Sequence, residues 1–149
     1  MNSLTKLKTK IESLIAAGCP TIKTFQIGYI GEQSSGQTDY DLLLLLPPKY
    51  KVPEPRNWNA KEYELHYFLI RQDKGDSGQD KMTPAERTVA WSSLDDLNKA
   101  FIESLMADTG NFQVVSPVTV DPNSGGPEQL LPDSVVWVEV TVTVRTNDC

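Results

Sequence analysis

The sequence predicts an α+β domain: a mostly antiparallel sheet of four to five strands with two helices packed on one face, in the order α-β-β-β-α-β-β. Three observations carry this. Apolar residues recur at steps of three and four near the N-terminus and again over residues 84–107. Elsewhere they alternate, or run in short blocks that proline and glycine end. The chain has 149 residues and no internal repeat, so residues 1–149 form one domain, long enough to bury a core without staples.

Leu4, Leu7, Ile11, Leu14 and Ile15 mark the buried stripe of the first helix. Ser3 can cap it, Gly18 and Pro20 stop it, and Lys6, Lys8, Lys10 and Glu12 fall on the watery side. Phe25, Ile27 and Tyr29 then alternate as a half-buried strand, and GEQSSGQ (31–37) makes a turn. TDYDLLLLLPP is apolar on both faces after Asp41, which predicts an interior strand ended by Pro47 and Pro48. Residues 47–62 hold four prolines and read as a long loop carrying Trp58. EYELHYFLIR is a strand with Tyr63, Leu65, Tyr67 and Leu69 on one side, and 71–82 is a polar connector.

Thr83-Pro84-Ala85-Glu86 is a capping box with proline at the first helical position. The helix it opens should run to Ala107, with Ala90, Leu94, Leu97, Phe101 and Leu105 as its core stripe, and Gly110 should close it. Asp95, Asp96, Lys99 and Glu103 lie off the stripe. FQVVSPVTV is a strand interrupted by Pro117, hence at an edge or bulged, and 121–133 is a hairpin-type loop. The last strand is the longest. Val136, Val138, Val140, Val142 and Val144 line one face and belong under the second helix; Trp137, Glu139, Thr141, Thr143 and Arg145 line the other.

A net charge of −6 argues against broad binding to nucleic acid or anionic membrane. No apolar run reaches the length of a membrane span or a signal peptide, and Cys19 and Cys149 read as free thiols of a reducing compartment. P-loop, GxSxG, HExxH and paired CxxC patterns are absent, and the single histidine, His66, has no catalytic partner readable from sequence. Asp39 and Asp41 are the one serious chemical candidate, since alternate strand positions point the same way and two carboxylates can share a metal. Asp-Tyr-Asp-Leu resembles the core of the polymerase-beta-like nucleotidyltransferases, yet Gly28-Tyr29 replaces that family's glycine motif and 31–38 is too short for its helix. The preferred reading is structural: Asp39 opens a strand and Asp41 is solvated at the sheet's end. Trp137 invites two readings, an exposed partner surface or a side chain covered by the second helix.

The element order, the strand ending DYDLLLLLPP, the long helix WSSLDDLNKAFIESL and the closing VWVEVTVTVRT together resemble the tail-terminator and neck proteins of tailed bacteriophages. The resemblance implies a virion structural protein made in the host cytoplasm, without catalytic residues, metal or cofactor. It implies a homomeric ring, a hexamer, at the head-proximal end of the tail tube. Its partners would be the tail tube protein and the head-connector or neck proteins, with DNA passing through without specific binding. The ring's subunit-interface or lumen face is sought at Trp58, Trp137, Glu139, Thr141, Thr143 and Arg145, and in the loops 47–62 and 121–133. The alternatives are a connector, stopper or tail-completion protein, a metal-dependent transferase using Asp39 and Asp41, or a small host-side adaptor.

Overall fold

The computed structural model describes residues 3–28, 40–56, 58, 60–72, 82–125 and 135–147. The elements are α1 (Ser3–Gly18), β1 (Thr24–Ile27), β2 (Leu42–Leu45), β3 (Lys49–Lys51), β4 (Ala60–Gln72), α2 (Pro84–Ala107), β5 (Phe112–Val114), β6 (Thr119–Gly125) and β7 (Val135–Asn147). The class is α+β, as the periodicities predict.

Among the described residues seven strands replace the predicted four to five, and proline is the reason. β2 and β3 pair antiparallel with β4 one after the other, parted at Pro47 and Pro48, which have no N–H to give a ladder. β5 and β6 follow one another along β7 in the same way, parted around Pro117. Seven strands therefore fill five columns: β1, β2/β3, β4, β7 and β5/β6. β1 runs parallel to β2, while the other pairings are antiparallel.

Several boundaries move for the same kind of reason. β3 lies inside the predicted loop 47–62, and β6 continues through Pro122 into the predicted hairpin loop because it sits on an edge column. Arg71 and Gln72 prolong β4 instead of opening a connector, since β7 still offers Val136 and Val135 opposite them. Tyr29 and residues 31–37, 73–81 and 126–133 lie outside the described residues.

α2 begins as its sequence predicts. Thr83 Oγ1 accepts from Glu86 N at 3.2 Å, and Glu86 Oε1 accepts from Thr83 N at 3.0 Å. Its end is made by Asp108 rather than Gly110: Asp108 N donates to Ser104 O at 3.2 Å, and the Asp108 carbonyl takes the Phe112 N–H at 2.9 Å. Asn111 Nδ2 reaches both Asp108 carboxylate oxygens and holds the turn.

Both helices cover one face. Leu7, Ile11 and Ile15 of α1 and Leu94, Phe101 and Leu105 of α2 pack on Leu43, Leu45, Tyr63, Leu65, Tyr67, Leu69 and the five valines of β7. The α2 stripe is wider than predicted, with Asn98 and Ile102 also buried and Leu97 half-buried, because α2 touches α1 as well as the sheet. Asn98 is tolerated there because its Oδ1 accepts from the Tyr67 hydroxyl. Where the helices meet, a Cβ on Gly18 would stand 2.5 Å from Ser104 Oγ, so a hydrogen suits this close approach. The buried Cys19 thiol lies at the same seam, bonded to Ser104.

Burial, with the neighbouring Cys19, pushes the Tyr67 phenol well above its ordinary 10.0. Burial also raises the Cys19 thiol above 9.0, against a Ser104 hydrogen bond that lowers it. The fold thus favours both neutral forms, while the unfolded chain ionises at ordinary values. Their contribution is fully present below pH 9 and is lost as pH rises past 9.0 and 10.0 towards the raised native values. Urea midpoints measured from pH 8 to 11 should fall across this window, and Tyr67→Phe should remove part of the slope above pH 10. A Tyr67→Phe slope equal to wild type would disprove the assignment.

The two faces of β7 give a second test. Val140→Asp places an unpaired carboxylate at a fully buried site and should cost about 4 kcal/mol or more, leaving the chain unfolded. Glu139→Lys, on the half-open face, should keep a native circular dichroism spectrum.

Candidate functional site

Residues directly opposite on antiparallel strands share a face. Glu62, Glu64, His66, Phe68 and Ile70 of β4 therefore stand with Arg145, Thr143, Thr141, Glu139 and Trp137 of β7, on the side turned away from the helices. This face collects five of the six residues singled out from the sequence.

It has two unlike halves. At one end Leu42, Leu44, Phe68, Ile70, Val135 and Trp137 form a second buried cluster, with Tyr40 and Leu46 packed against it. Trp137 is only 6% exposed, so it is neither a free partner surface nor covered by α2: it belongs to a small core of its own across the sheet. The five leucines that follow Asp41 are apolar on both faces because β2 lies between two cores.

The other half is polar, and its charges come in pairs. Arg145 Nη2 lies 3.0 Å from Glu62 Oε2, and Lys51 Nζ lies 4.0 Å from Glu62 Oε1. Lys49 stands opposite Glu64 in the ladder. His66 Nε2 meets Glu139 Oε2 at 2.7 Å on a diagonal between β4 and β7, each side chain about one-third exposed. Between these pairs lies a shallow cavity of about 210 Å³, lined by Lys49, Tyr50, Lys51, Glu62, Glu64 and Thr143. Thr141 and Thr143 are half-buried between the charged rows, and the Thr143 N–H donates to Ser116 Oγ at 2.8 Å. Sequence reasoning left His66 without a partner, because Glu139 is 73 residues away and only the β4–β7 register brings it near.

Trp58 stands apart from this face, 62% exposed. Its carbonyl accepts from the ammonium of Lys61, itself 7% exposed, so a buried lysine anchors the backbone from which the exposed indole projects.

Asp41 departs from its predicted role. It is buried and clasped by Arg71: Nε donates to Oδ1 at 2.9 Å and Nη2 to Oδ2 at 2.7 Å. Nη2 also reaches Ser93 Oγ on α2 at 3.2 Å. The carboxylate hydrogen bond is the largest reason why the Arg71 guanidinium is held even more firmly charged than usual. Asp41 thus ties the start of β2 to the end of β4 and to α2, with both of its oxygens occupied. Asp39 lies outside the described residues. Among the described residues no group of three His, Cys, Asp or Glu side chains is placed to hold a metal ion, and no helix is long and apolar enough to cross a membrane.

No protein-family model matches the chain, and no curated protein matches it significantly.

Breaking the Asp41–Arg71 clasp should be costly, since one charge is left behind in a mostly buried place. Asp41→Asn should lower unfolding free energy by about 2 kcal/mol, less than for a fully buried pair because Arg71 keeps about one-third of its surface. Urea unfolding of Asp41→Asn, Arg71→Gln and the double variant should give a coupling energy; additive losses would show that the pair does not hold the sheet.

Proposed function

We propose that this chain is a structural virion protein of a tailed phage, a tail terminator whose copies form a ring that caps the tail tube and joins it to the head connector. Within the same class, a connector, stopper or tail-completion role is the nearest alternative. The observation that best supports the reading is the state of the cations on the open sheet face. A channel for DNA must not grip phosphates, and each phosphate contact by a free lysine or arginine strengthens binding through counterion release. Here Arg145 and Lys51 share Glu62, Lys49 faces Glu64, and Glu139 adds a further carboxylate beside His66. Such a face, with three cations against three carboxylates, shows DNA a near-neutral surface at close range, and the net charge of −6 repels it at longer range.

The face is polar without being organised for reaction. Its cavity is shallow, its Glu62 carboxylate is shared by Arg145 and Lys51, and its histidine is held by Glu139 with no nucleophile bonded to it among the described residues. In this reading the second cluster around Trp137 stiffens the sheet, and the polar half faces the lumen.

Mass photometry of the purified chain, alone and with tail tube protein, tests the ring directly: a closed oligomer is expected, and a strict monomer or dimer under both conditions would reject it. Glu139→Lys should leave the ring's mass unchanged while making it retain duplex DNA at low salt, measured by fluorescence anisotropy and lost by about 200 mM salt. A ring that falls apart with Glu139→Lys would move this face from the lumen to a subunit contact.

A further inference from the structure

We draw no further inference here: the strongest candidate, the apolar notch at the C-terminal end of α2, where Met106 stands exposed beside Phe112 and Val114 of β5, is a surface for which nothing in the structure shows what covers it.

Discussion

The unbroken register between β4 and β7 is the constraint on which the other elements depend. Thirteen residues of each strand face one another with no bulge from Ala60↔Asn147 to Gln72↔Val135. Side chains alternate with period two, so this one register assigns every residue of both strands to a face. Five valines and Tyr63, Leu65, Tyr67 and Leu69 fall together on one side and call for a cover, which α1 and α2 supply. Each buried valine contributes about 1.5 kcal/mol or more, and a slip by one residue would expose all of them. The same register assembles the charged rows on the other side, so the core and the candidate functional face are two results of one pairing.

Outside this central pair the sheet is built from short pieces, and prolines decide where they break. Pro47 and Pro48 divide the column beside β4; Pro117 falls between β5 and β6 beside β7. The interruptions let the chain bend away from the sheet. The proline-rich segment that carries Trp58 follows β3, and Val115 and Val118 stand out between β5 and β6. Regular pairing in the middle and broken pairing outside give a regular sheet with irregular flanks.

Polar groups inside the fold tie its elements together. Asp41, Arg71 and Ser93 join β2, β4 and α2, while Tyr67 and Asn98 join β4 to α2. These contacts fix how α2 lies on the sheet, and Met106 at the far end of α2 is placed by that angle.

The sequence by itself determined what depends on neighbours along the chain. The capping box at Thr83 and Glu86, the extent of α2, the two-sided burial of the leucines after Asp41 and the valine face of β7 all follow from periodicity and local hydrogen bonding. Tertiary structure alone decided what depends on strand register and packing. Asp41 looked like a solvated strand end because its partner, Arg71, is 30 residues away and reads locally as the start of a connector. Trp137 shares its strand face with charged and hydroxyl side chains, and only β2 and β4 alongside bring Leu42, Leu44, Phe68 and Ile70 to bury it. His66 gained Glu139 in the same way. A period of two tells which residues share a face within one strand; which strands lie beside it, and in what alignment, is settled by burial over the whole sheet, and no local pattern encodes that sum.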